Sequence, residues 1–197
     1  MAIDITFNEV YGFKTALRAL RRPMNKERDE SLGDTPTEDD LRLMVQLAKR
    51  GDDHAKFMRM IGAGITVKAP RYFWLELDTY KLGRFDLDEE HCSESTMHRK
   101  ISEPFMVEDF DNSDIPSPYL GQLNGVRELV ANGTCSLEGL KAMIPEGFLQ
   151  TRDMLLNYQA MRRIYHARKN HALSQWREFC AWMVDNVPYS QLITEGN

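Results

Sequence analysis

Met58 to Lys68 is rich in β-branched and small residues, Ile65 and Val67 among them, and the chain then meets Pro70. Proline cannot donate to a sheet ladder, but its fixed φ suits the first turn of a helix. The junction therefore predicts a strand over Met58–Lys68 and a helix from Pro70 to about Leu82, closed by Gly83. Ile3 to Phe7 alternates and predicts a second short strand. The other periodic segments favour helix: Phe13–Arg22 stopped at Pro23, a helix opened by Thr37 and Asp40 and stopped at Gly51, Tyr119–Ala131, Leu137–Met143, Gln150–Lys169 and Ser174–Asn186. Asn25–Thr37 is polar and reads as a loop. Phe85–Asp114 is acidic and reads as a long loop with a helical turn. Few strands among many helices, without βαβ alternation, predict an α+β fold, a small sheet packed against several helices in one domain over residues 1–197.

Composition narrows function by exclusion. The 197 residues carry a net charge of −5, which argues against a general nucleic-acid binder. No apolar run is long enough for a membrane span, and no secretory leader is visible, so a cytoplasmic location is expected. Cys92, Cys135 and Cys180 are far apart with no CxxC, so neither a disulfide framework nor a zinc site is expected. No GxGxxG, Walker loop, GxSxG or HExxH occurs, and the five histidines have no ligand spacing.

Within Gln150–Lys169, Met154, Leu155, Tyr158, Met161, Ile164 and Tyr165 form a core stripe. The other faces carry Arg152, Asn157, Arg163, His166 and Arg168. Asn157 and Arg168, eleven apart on one helix, would share a face. That face reads either as solvated basic surface or as an amide and a guanidinium lining a pocket. Glu76 lies in a largely apolar helix, where it pairs with Lys81 or Arg71 or faces water.

Across residues 54 to 190 the order and spacing of these residues resemble the flavin-dependent thymidylate synthases. That family has a histidine sixteen residues before a helix-opening proline, as His54 stands to Pro70. Its Gln and Arg-His-Arg correspond to Glu76 and Thr79-Tyr80-Lys81. Its Glu-x-Ser-x-Arg element is matched by Ser95, with Ser93 and Met97 in the flanking positions. Lys141 stands for an arginine four residues before Pro145, Thr151 for a threonine, Asn157 and Arg168 for an Asn/Arg pair. His171-Ala172-Leu173-Ser174-Gln175-Trp176 is a stretched version of the motif that follows.

The resemblance implies a homotetramer with active sites between subunits. It implies FAD, a pyrimidine nucleotide such as dUMP, methylene-tetrahydrofolate and NADPH, with one-carbon transfer to C5 and no enzyme nucleophile. Carried over by position, Arg168 and Glu76 are the catalytic candidates. His54, Tyr80, Lys81, Asn157 and Arg163 are expected on the cofactor, and Glu76, Ser95, Lys141 and Arg168 on the substrate. Loss of the Arg-His-Arg leaves an alternative, a nucleotide- or protein-binding homologue without flavin chemistry, with the acidic loop Phe85–Glu90 as a partner surface.

Overall fold

The computed structural model describes residues 3–25, 27, 33–83, 91–95, 102–111 and 115–195, with backbone only at 81–83 and 91. The loop Phe85–Glu90 and Met97 lie outside the described residues. Strands β1 (Asp4–Tyr11), β2 (Gly62–Pro70), β3 (His91–Ser93) and β4 (Leu149–Asn157) form an antiparallel sheet in the order β1-β2-β4-β3. The expected α+β class holds.

In central strand β2, Ala63, Ile65, Val67 and Ala69 are fully buried and face the helices. Thr66 faces the other way. Its hydroxyl receives Asn8 Nδ2 at 3.0 Å and donates to Asp153 Oδ1 at 2.5 Å, a polar rung across β1, β2 and β4. The helices on the buried face are α1 (Phe13–Ala19), α2 (Glu38–Lys49), α3 (Arg71–Leu77), α6 (Tyr158–Arg168), α7 (Ser174–Asn186) and the short α8 (Gln191–Thr194). Phe73, Trp74, Tyr158, Met161, Trp176, Phe179 and Met183 fill the core between them. A second cluster of Phe105, Phe110, Leu123, Leu140, Ile144 and Phe148 joins α4 (Ser117–Ala131) and α5 (Leu137–Met143) to the loop before them. Among the described residues no helix is long and apolar enough to cross a membrane.

The structure departs from the sequence expectation most at Gln150–Lys169. Leu149–Asn157 is strand, paired residue for residue with Pro70–Gly62, and the helix starts only at Tyr158. Met154 and Leu156 thus bury against the core from the sheet, and Leu155 points to the opposite face beside Gly64. A buried β2 needs a ladder partner on each side, and that demand outweighs the helical spacing of these residues. Asn157 makes the switch. Its backbone is extended, and its Oδ1 accepts the Ala160 N–H at 2.8 Å as the helix cap.

Two boundaries also shift. Lys56–Met60 is a 3-10 turn, so the strand begins at Gly62 rather than Met58. The helix after Pro70 ends at Leu77 and tightens into a 3-10 turn over Asp78–Gly83, because Thr79 Oγ1 takes the Glu76 carbonyl at 2.6 Å. The expected 85–114 loop also contains β3, which extends the sheet beyond β4, and a turn at Val107–Asp109.

The expected capping of α2 is present in full. Thr37 Oγ1 accepts from Asp40 N–H and the Asp40 carboxylate accepts from Thr37 N–H, an arrangement worth about 1 kcal/mol. Asp40 is fully buried and also pairs with Arg21, tying α2 to the end of α1.

The C-terminal segment docks on α6. Arg162 Nη1 donates to the carbonyl oxygens of Leu192 at 3.1 Å and Glu195 at 2.5 Å. His166 lies in the same packed region. Burial holds its imidazole below the ordinary value, helped by the positive charges of Arg162 and Lys169. A histidine depressed in the folded state binds its proton more readily when unfolded. Stability is then fully present above the unfolded value near 6.5 and is lost as pH falls through it towards the lower folded value. Melting temperature should drop between pH 7.5 and pH 5.5, and His166→Asn should flatten that part of the profile.

Candidate functional site

The most concentrated chemistry in the described residues gathers around Arg168, the last residue of α6. Three elements meet there. α3 delivers Glu76, because Phe73, Trp74 and Leu77 fix its buried face and leave Glu76 on the side turned to α6. Trp74 clamps that orientation: its Nε1 donates to the Ala69 and Gln150 carbonyls, and the Arg152 guanidinium lies 4.5 Å over its ring. Arg152 itself sits on β4 and pairs with Asp78 at 3.4 Å. The turn after α3 delivers Tyr80, and the start of α7 delivers the buried Trp176.

The Arg168 guanidinium is held on several sides. Nε donates to the Tyr80 hydroxyl at 2.8 Å, and Nη1 lies 3.1 Å from Glu76 Oε2 and 2.6 Å from His171 Nε2. Its carbon is 4.9 Å from the Trp176 ring centroid and 5.5 Å from that of Tyr80. Glu76 Oε2 also accepts the Trp176 indole N–H at 2.8 Å. Glu76 finds a cation in Arg168, as a carboxylate in an apolar helix must; of the two expected partners, Arg71 pairs with Glu146 instead, and the side chain of Lys81 lies outside the described residues. Arg168 is 20% exposed and Glu76 34%, so the cluster opens to solvent on one side. Arg168 Nη2 and Glu76 Oε1 have no protein partner among the described residues. The pair therefore keeps a donor and an acceptor, with the guanidinium close to two aromatic rings. Such an arrangement can read the edge of a flat, polar, anionic molecule.

His54 opens elsewhere. It lines a cleft of about 690 Å³ between α1, α2 and the 3-10 turn at Lys56–Met60. The floor is apolar, with Leu20, Leu47, Phe57 and Met60, and the rim carries Arg50, Asp53, His54 and Lys56. Next to it Arg163 pairs with Asp52 and Arg59 Nε donates to Gln159 Oε1 at 2.5 Å. The Arg163 hydrogen bond, with help from Gln159, holds the Asp52 carboxyl below the usual carboxylate range.

The other candidates scatter within one chain. Asn157 is buried at the start of α6, roughly 16 Å of helix from Arg168 by the rise of 1.5 Å per residue. The shared-face expectation is corrected for the same reason as the helix: Asn157 caps it rather than standing on its side. Lys141 is exposed on α5, against the second cluster. Ser95 is exposed just beyond β3, and the Lys81 side chain lies outside the described residues. Sequence reasoning did not single out His171 and Trp176 as site residues. Their signal was position: His171 is three residues beyond Arg168, and Trp176 is an aromatic in the first turn of the next helix.

No protein-family model and no curated protein sequence matches the chain. Solved structures do match in fold. The flavin-dependent thymidylate synthase ThyX from Helicobacter pylori, complexed with FAD and dUMP, superposes with a TM-score of 0.75 over 98% of both chains at 14% identity. A second structure of that protein with FAD and dUMP gives 0.74 over 98% of this chain and 97% of the other at 15% identity. The UMP/dUMP methylase PolB from Streptomyces cacaoi, bound with 5-Br dUMP, gives 0.62 over 96% and 93% at 11% identity. At such identities the likeness is one of fold.

Proposed function

We propose that this chain binds a pyrimidine nucleotide, dUMP or a close relative, at the Arg168 cluster, and transfers a one-carbon unit to C5 of its ring with FAD. The observation that carries the reading is the half-buried Arg168, set against Trp176 and Tyr80 with one guanidinium nitrogen left for a ligand, on a fold shared with proteins solved with dUMP. Arg168 would fix the pyrimidine edge or its phosphate, with Glu76 and the Tyr80 hydroxyl orienting its guanidinium. Tyr80 and Trp176 keep water from one side of the guanidinium. No protein nucleophile is required, and Cys180 offers none: burial pushes its thiol up to about 12.

The His54 cleft fits the nucleotide part of a flavin, with an apolar floor for a ring and Arg50, His54 and Lys56 for a diphosphate. FAD, when bound, supplies the redox and carbon-carrying chemistry. The reaction so read draws its carbon from methylene-tetrahydrofolate and its reducing equivalents from NADPH. The His54 cleft and the Arg168 cluster share no lining residue within one chain. That separation supports sites completed between subunits of a homotetramer, with Lys141, Ser95 and Arg163 supplied across the interface.

A second reading has its own observation. Glu76 already neutralises Arg168, and the Thr79 hydroxyl is taken up by the Glu76 carbonyl. Both favour a nucleotide- or protein-binding homologue without flavin. An absorbance spectrum with and without added FAD, paired with melting curves in dUMP, separates the two. Retained flavin absorbance together with a dUMP-induced rise supports the enzyme. Colourless protein that gains several degrees with dUMP alone supports the binding homologue. If neither ligand has any effect, the nucleotide reading fails.

A further inference from the structure

His171 is in conflict with its surroundings. Its Nε2 faces Arg168 Nη1 at 2.6 Å, and its Nδ1 faces the Leu173 backbone N–H at 3.3 Å. Both neighbours are donors, yet a neutral imidazole has one lone pair and one N–H. One of the two contacts is therefore always frustrated. An acceptor is close at hand, because Glu76 Oε2 lies 3.9 Å from Nε2. That oxygen is engaged by Arg168 and by the Trp176 indole.

We propose that Glu76 is a built-in counter-ion for Arg168, and that an anionic ligand enters the site together with a proton on His171. This rests on the reading of the Arg168 cluster as a nucleotide site. With His171 neutral, Arg168 and Glu76 cancel each other, and an arriving anion must compete with the carboxylate. Protonation gives Nε2 a hydrogen that repels Arg168 and attracts Glu76. The carboxylate turns towards the imidazolium, and the guanidinium edge is released. The proton comes from solvent and returns to it when the ligand leaves.

The charges facing His171 make the direction of the coupling clear. Arg168 faces it from α6 and Glu76 from α3. From α7, Arg177 Nη1 donates to the His171 and Ala172 carbonyl oxygens at 2.5 and 2.7 Å, and the Trp176 ring centroid stands 6.3 Å away. Tyr80 reaches the group only through Arg168. One guanidinium and one carboxylate face the ring and a second guanidinium sits on the His171 backbone, so an incoming anion stabilises the imidazolium. Linkage then requires affinity to rise as the pH falls.

Three measurements test this on the full chain. Calorimetry of dUMP binding in two buffers of different ionisation enthalpy reads proton uptake. Wild type should take up more than His171→Asn, a difference that removes the phosphate's own titration. Glu76→Gln, which keeps shape and removes the charge, should bind dUMP about tenfold more tightly at pH 8, the factor carried by one pKa unit of coupling. Equal proton uptake by wild type and His171→Asn, or unchanged affinity in Glu76→Gln, overturns the proposal. If dUMP binds to no variant, the nucleotide reading is lost, but the exchange of partners is still read without ligand. The Trp176 indole N–H resonance, assigned by Trp176→Phe, should move with pH in wild type and stand still in His171→Asn. An indole signal that ignores pH in wild type sinks the exchange itself.

Discussion

Gly12→Ala is expected to be among the most damaging single substitutions in this protein, lowering stability by about 4 kcal/mol or more through strain and overpacking together. Gly12 links β1 to α1 with a φ of 91°, in the left-handed region that a side chain disfavours. Space is the larger problem. A Cβ there would lie 1.8 Å from the Met60 carbonyl oxygen and 2.9 Å from its carbon, both backbone atoms. Relief requires moving the Lys56–Met60 turn away from α1, and that turn forms one wall of the His54 cleft. Gly51 supplies the control. Its φ is 95°, but nothing lies within 4 Å of an added Cβ, so Gly51→Ala should cost only about 1 kcal/mol of left-handed strain. For a chain of this length 1 kcal/mol is roughly 2–4 °C. Melting curves should therefore separate the two variants by several degrees, and equal melting temperatures would contradict the close approach.

Much of this fold could be read locally. The Thr37 box, the Gly51 stop and the helices at Leu137–Met143 and Ser174–Asn186 depend on signals carried by adjacent residues, and the structure has them as expected. β4 depends on something distant. Thr151, Met154 and Leu156 are compatible with strand or helix, and β2, some ninety residues earlier, selects the strand. Asn157 did carry a local signal, a cap residue just before the periodic run from Tyr158, and it marks where the helix begins. The candidate site divides in the same way. Glu76 was visible as a carboxylate in an apolar helix, but its partner was not, since Arg168 lies ninety-two residues further on. His171 and Trp176 gained a role only when α7 folded back against α3, which sequence spacing does not report.

Arg168→Ala should lose nucleotide binding by about thirtyfold or more, the 2–5 kcal/mol attached to breaking a hydrogen-bonded charge pair in a binding site. Part of any such loss could come from the collapse of the cluster, because the same substitution strands three neighbours. Glu76 loses its cation, the Tyr80 hydroxyl loses its donor and the Trp176 face loses its guanidinium. Arg168→Ala should for that reason also lower the melting temperature. A double substitution separates the two roles. In Glu76→Gln/Arg168→Ala the stranded carboxylate is gone, so much of the lost stability should return. Binding should not return, because no donor remains to face the ligand. Arg168→Lys falls between: it keeps the charge but cannot reach Tyr80, Glu76 and a ligand at once from a single ammonium, and should bind about tenfold more weakly than wild type. Titration of dUMP into all four proteins, with melting curves beside it, checks the scheme. Binding regained in the double variant would mean that Arg168 serves to neutralise Glu76 and that the nucleotide is held elsewhere.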